Sequence, residues 1–237
     1  MILYLNGDSH TAAGEAVNPH CFAKDDSELW YILGEESYYG HPDNLAVSYG
    51  KKIADNIGYT MVNHASSAAS NIKILRTTYN YLQDNHPNLV IIGWSTWERE
   101  EWFNDEDGEY YQVNSSGSDS VPKKWELRYK EFVINHRETI SNKVTIIHSE
   151  IHKLHLHLNK LKVPHLFFNS QLNFYGYPDE IISKVDWGDS YIEPYSDFSY
   201  YQYLKSQGYK HTGAFHFGAD GHQKWADFLM PYLTKIL

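Results

Sequence analysis

The stretch from Tyr4 to Gly14, YLNGDSHTAAG, sets a glycine, an acid and a serine directly after an apolar run, Ile2 to Leu5. Two readings of Ser9 stand side by side: a polar turn that closes a buried strand, or a hydroxyl held at a strand tip as a nucleophile. A serine attacks a carbonyl only when a base takes its proton and N–H or O–H donors hold the oxyanion that forms. Residue types for both tasks recur along the chain. NHASSAASN, Asn63 to Asn71, is a small-residue turn with backbone N–H groups to spare, and GWSTWERE, Gly93 to Glu100, carries hydroxyls. HTGAFHFGADGH, His211 to His222, carries histidines, of which His216 is the candidate base. Its bland reading is a histidine flanking a helix, because 14 histidines make any single one weak evidence. His222 and Asp220 read as helix-start structure, with Asp220 as the N-cap.

These segments cooperate only if the fold carries them to one edge. Four apolar runs read as buried strands: Ile2–Leu5, Tyr59–Val62, Leu89–Trp94 and Pro164–Phe168. Between them lie helical spacings. Leu45, Tyr49, Ile53 and Ile57 share one face, stopped by Gly58. Ile72, Leu75, Tyr79 and Leu82 follow Ser70-Asn71, a fitting N-cap. Ile147, Ile151, Leu154, Leu158 and Leu161 form the clearest stripe, and Trp225, Leu229, Leu233 and Ile236 a final helix bent or tightened at Pro231. Alternating strands and helices predict an α/β protein, a parallel sheet covered on both faces in three α/β/α layers. Ligands of such sheets bind beyond the carboxyl ends of the strands, where the four polar segments converge.

Composition narrows the function classes. At 237 residues the chain suits one domain over 1–237, with surface excursions at His20–Pro42 and Trp97–Lys124. A formal net charge of −10 argues against nucleic acid or an anionic membrane as partner. One cysteine, Cys21, excludes an internal disulfide framework. No run is apolar enough to span a bilayer and no signal-peptide pattern opens the chain, so the expected location is cytoplasmic.

Two further clusters have sharp and bland readings. His148, His152 and His155 fall on one helical face, a spacing that suits a metal. No further ligand motif accompanies them, and the adjoining apolar stripe makes them boundary residues of the core; the expectation is no metal and no cofactor. Trp94 and Trp97, among the rings of GWSTWEREEWF, read either as packing for a loop or as stacking platforms for a sugar.

With these residues in view, the chain resembles the SGNH (GDSL-type) hydrolases, a family of esterases and lipases with a flavodoxin-like sheet. Gly7-Asp8-Ser9 matches the family's first block. NHASSAASN matches the second, with Ala68 where a glycine is usual, and Gly93-Trp94-Ser95-Thr96 stands for Gly-x-Asn-Asp. His216 followed by GHQKWA fits the last block, with Gly213 in the place of its aspartate. The resemblance implies a parallel sheet of about five strands, Ser9 as nucleophile, His216 as base, and an oxyanion hole from Ser9, Ala68 and Ser95. The aromatic loops, which lack a broad aliphatic surface, point away from long-chain lipid and to a short acyl ester on a small molecule or a carbohydrate contacted by Trp94 and Trp97. Family members occur in phage genomes, so virion association is a second expectation of place. The departures leave two functions open. In one, a backbone carbonyl near Thr212–Phe215 or a carboxylate from another loop orients His216, and the protein is an esterase. In the other, the site has decayed and the fold serves as a non-catalytic carbohydrate-binding or structural protein.

Overall fold

The computed structural model describes residues 1–22, 26, 40–115 and 121–237, and no side chains at 136–138. Most of the excursion expected at His20–Pro42, and residues 116–120 of the second one, lie outside the described residues.

Strand β1 (Ile2–Gly7) is central. It pairs in parallel with β2 (Thr60–Asn63) on one side and β3 (Leu89–Trp94) on the other, and β6 (His165–Asn169) adds to β3. The order β2-β1-β3-β6 is the doubly wound, flavodoxin-like arrangement. Among the described residues the sheet has four strands rather than the expected five or so: beyond β6, at the place of a fifth, there is a single parallel bridge from Phe167 to Tyr191. The expected three α/β/α layers are present.

Alternation along the strands separates two cores. Leu3, Leu5, Ile91 and Phe168 pack on α2 (Tyr49–Ile57) and α6 (Ala219–Ile236) through Tyr49, Ile53, Trp225 and Leu229. Tyr4, Val90, Ile92 and Phe167 face α3 (Asn71–Asp84) and the 36-residue α4 (Glu126–Leu161). Among the described residues, no helix is long and apolar enough to cross a membrane.

Local signals act as expected at several ends. Gly58 takes the left-handed conformation (φ 72°) that stops α2, and Ser70 Oγ accepts the Lys73 N–H as N-cap of α3. Three readings need correction. The face from Leu45 to Ile57 belongs to two helices, α1 (Pro42–Val47) and α2. The extended Ser48 between them donates to the Leu45 carbonyl and accepts from Lys51 N, ending one helix and starting the next. Asp220 is not the N-cap of α6; Gly218 is, and Asp220 sits in the first turn, accepting the Gly221 N–H at 2.8 Å. Part of Trp97–Lys124 is ordered structure, a hairpin of β4 (Glu100–Asn104) and β5 (Glu109–Val113), tied to α3 by the Arg76–Glu101 ion pair at 2.8 Å.

A buried amide locks β1 to α3. Asn6 Nδ2 lies within 2.8–3.1 Å of Thr77 Oγ1, Thr78 Oγ1, the Ile74 carbonyl and the Tyr4 hydroxyl, and its Oδ1 accepts the Gly7 N–H. An alanine removes the bonds to the Thr77 and Thr78 hydroxyls and the side-chain acceptor of the Gly7 N–H, and a buried bond broken this way costs about 1–3 kcal/mol. Asn6→Ala should therefore lower the urea midpoint by a stability loss of at least about 2 kcal/mol with an unchanged slope; an unchanged midpoint would show that the amide locks nothing.

Candidate active site

The chain runs from β1 to β2 on one side and then crosses to β3 on the other, so the crevice opens where Gly7 pairs with Gly93. Both positions demand glycine. A Cβ at Gly7, whose φ is 156°, would lie 2.2 Å from Thr11 Oγ1 and 2.8 Å from the Gly93 carbonyl; one at Gly93 would lie 2.7 Å from the same Thr11 oxygen. Thr11 fills that space because the chain folds back at once after β1. Asp8 shapes the turn: its carbonyl accepts from Thr11 N and Ala12 N, and its carboxylate accepts from His10 N. Tyr49 in α2 donates its hydroxyl to Thr11 Oγ1 at 3.0 Å.

The turn leaves Ser9 against the segment that precedes α6. Ser9 Oγ is 2.8 Å from His216 Nε2, and both side chains are nearly buried. The other ring nitrogen, Nδ1, is 3.0 Å from Glu15 Oε2. A carboxylate only accepts, so Nδ1 carries the ring proton of the neutral imidazole and Nε2 is left to accept from Ser9. Thr212 donates to the same Glu15 oxygen at 2.6 Å, and its hydroxyl accepts the His216 N–H. Burial opposes ionisation of Glu15, but the bonds from Thr212 and His216 outweigh it and hold its carboxyl below the ordinary glutamate range. The glutamate reaches His216 because Ala13 and Glu15 both take left-handed backbone (φ 55° and 58°).

Glu15 is the residue that sequence reading missed. A carboxylate from another loop was one of two expected substitutes for the family's aspartate, yet nothing in TAAGEA singles this one out. It belongs to the segment of the nucleophile, whereas the family pattern directs attention to the segment of the histidine. Gly213 itself is remote from any such role: a Cβ there meets nothing within 4 Å among the described residues.

The proposed oxyanion donors border the same turn. The second loop is pinned beside β1 by hydrogen bonds from His64 N to the Leu5 carbonyl and Ser66 N to the Gly7 carbonyl. Within it Ala68 adopts φ 58°, a left-handed conformation that favours glycine. Neither Ser9 N–H nor Ala68 N–H has an acceptor among the described residues. Ser95 is fully buried; its backbone is clamped by the Asn71 amide, and its hydroxyl accepts from Arg99 Nη1 at 2.7 Å. The same Arg99 nitrogen lies 3.5 Å from Asp8 Oδ2 and from the Ala69 carbonyl, so one guanidinium touches all three loops.

Burial disfavours the charged form of two further histidines near the site. His10 accepts from the Gln171 amide at 3.0 Å, and burial lowers its pKa to about 4; burial brings His222 to about 3. The three histidines of α4 ring Trp187 at centroid distances of 5.4–5.6 Å, and burial lowers His148 to about 4. His148 bonds to the Tyr195 hydroxyl and His155 to His165, so they are packing residues of one core.

Trp94 and Trp97, expected as substrate contacts, pack into the core. They are 0% and 1% exposed, Trp94 edge-on to Phe167 and Trp97 stacked on Phe174 at 4.6 Å. The aromatic ring at the rim is instead Phe215, adjacent to His216, 50% exposed and flanked by Tyr201 and His211.

No protein-family model matches the chain, and no curated protein matches it. Among solved structures it is similar to a carbohydrate esterase whose active site is described as having divergent catalytic and non-catalytic binding functions. The identity is 18% and the TM-score 0.49, over 99% of this chain and 64% of that one. It is also similar to the acetyl xylan esterase Est2A of the rumen bacterium Butyrivibrio proteoclasticus (12%, TM-score 0.43, 98% and 64% covered) and to TesA (13%, TM-score 0.46, 100% of both chains). The chain thus spans 64% of the length of the first two.

Proposed function

We propose that the protein is a serine hydrolase of short acyl esters, working through Ser9, His216 and Glu15. The observation that carries this reading is the unbroken run of hydrogen bonds from Ser9 Oγ through both ring nitrogens of His216 to Glu15. Ser9 attacks the ester carbonyl while His216 Nε2 takes its proton. Glu15 keeps the other ring proton on Nδ1 and stabilises the imidazolium. The N–H groups of Ser9 and Ala68 receive the oxyanion, while Ser95, fully buried with its hydroxyl bonded to Arg99, holds the third loop in place. His216 then protonates the departing alkoxide, and water, deprotonated by the same nitrogen, releases the acid from the acyl-enzyme. No step requires a cofactor.

The decayed-site alternative drew on the missing aspartate and on Ser95 in the place of the usual asparagine; Glu15 offers a carboxylate for the first, and the second keeps the binding reading as the alternative. A carbohydrate as the alcohol part of the ester keeps one support, the exposed Phe215 beside His216, since both tryptophans are buried. An apolar ring face at the rim suits a pyranose ring.

Turnover of p-nitrophenyl acetate tests the chemistry. Ser9→Ala should abolish it, and Glu15→Gln, which keeps the shape but loses the charge, should lower kcat by about 10³- to 10⁴-fold. Folded wild-type protein with no turnover on any short ester would overturn the proposal in favour of the binding reading.

Restoring the family residue gives a second test. Because the orienting role is filled and the Gly213 Cβ position is open, Gly213→Asp should leave kcat/KM within about twofold of wild type. A large gain would mean that Glu15 does not orient His216.

The rim residue separates substrate from chemistry. Phe215→Ala should raise KM for acetylated oligosaccharides by about 3- to 10-fold, the worth of one aromatic contact, and leave p-nitrophenyl acetate turnover unchanged. Equal effects on both substrates would count against a sugar at that rim.

A further inference from the structure

Cys21, the only cysteine of the chain, lies beside His216 and Glu15. One ligand atom each from the Glu15 carboxylate, the Cys21 thiol and the His216 ring all lie within 4.8 Å of one another. The position a Cβ would take at Gly14 is 3.2 Å from Cys21 Sγ and 3.4 Å from His216 Cε1, so the sulfur and the imidazole both border the open face of this glycine. Among the described residues this is the one group of three such ligands.

The ligand types select the metal. Thiolate, imidazole and carboxylate together suit zinc or another thiophilic divalent ion, whereas magnesium and calcium take oxygen alone. Zinc holds sulfur at about 2.3 Å and nitrogen or oxygen at about 2.0–2.2 Å, which places tetrahedral ligands roughly 3.3–3.6 Å apart. Side-chain shifts of about 1 Å close the cluster to that size, and the partly exposed Glu15 and Cys21 leave a fourth position for water.

We propose that Glu15, Cys21 and His216 form a zinc site that switches the hydrolase off. On binding, the thiol releases its proton to solvent, and the neutral imidazole and the carboxylate donate lone pairs. A metal on Nε2 removes the acceptor of the Ser9 proton; a metal on Nδ1 leaves the ring proton on Nε2, where it occupies that acceptor, and takes the carboxylate that held it. Either way the relay is broken, and a chelator restores it. The binding part stands on the cluster alone, while the inhibition part rests on the serine hydrolase reading.

Untagged protein titrated with Co²⁺ tests the site without reference to activity. One equivalent should give a near-ultraviolet thiolate-to-cobalt absorption, displaced by Zn²⁺, in wild type and in the inactive Ser9→Ala protein alike. Loss of even an outer partner of a metal ligand costs about 10- to 100-fold in affinity, so Cys21→Ala and Cys21→Ser should weaken calorimetric Zn²⁺ affinity by at least about 10-fold. With p-nitrophenyl acetate, zinc should inhibit wild type and EDTA should reverse it. Cys21→Ala should keep its metal-free rate and need at least about 10-fold more zinc for half inhibition. No cobalt–thiolate band, or zinc affinity and inhibition unchanged by both Cys21 variants, would overturn the proposal. A band in a protein that hydrolyses no ester would leave the metal site standing and refute the hydrolase instead.

Discussion

Everything at the carboxyl edge of the sheet depends on the space Thr11 occupies between the ends of β1 and β3. Its hydroxyl lies where a Cβ of Gly7 or Gly93 would be, and Tyr49 holds it from the helix layer. Glycine therefore stands at the end of β1 and one residue before the end of β3, and the chain after β1 can fold tightly back instead of running out over the surface. That tight return places Ser9 at the switch point and carries Ala13 to Glu15 round to meet His216. A larger residue at either glycine would push the turn outward and separate Ser9 from His216.

The same turn supplies both ends of the hydrogen-bonded run. Ser9 and Glu15 belong to one short segment, and only His216, 201 positions beyond Glu15, comes from elsewhere. The relay is thus sandwiched within a single loop whose shape rests on Asp8 and on two left-handed residues. Thr212, one turn before His216, reinforces the glutamate from the other side. Such an arrangement keeps the carboxylate ionised in a partly covered position, because hydrogen bonds to the charged form outweigh its desolvation.

Around this site the protein is unusually rich in buried rings. His148, His155 and His165 are held neutral by burial and satisfy their nitrogens with tyrosine, asparagine, backbone or one another. The formal charge of −10 is carried at the surface and in ion pairs, not in the sheet layers. Trp187 is packed by three imidazoles where an aliphatic core would use leucine, which explains how a chain with 14 histidines still builds a dense interior.

Apolar runs and their helical or extended spacing were enough to place the four strands, the stripe of α4 and the final helix, since those patterns follow from burial on a sheet or helix face. They also sent Ser9 and His216 to one edge, because strand ends of a doubly wound sheet have only one place to go. Periodicity did not register Ser48, whose side chain breaks one apolar face into two helices. It gave no sign that Trp94 and Trp97 turn inward, because an aromatic residue at a strand end packs equally well on a core or on a ligand. Above all, Glu15 was one of 30 acidic residues with no distinguishing neighbour. Its role is a matter of a few ångströms between a left-handed turn and a histidine far along the chain. Local sequence determines which residues can do chemistry and which layer they border; only the packed chain decides which carboxylate meets which ring, because that distance is the sum of every turn between them.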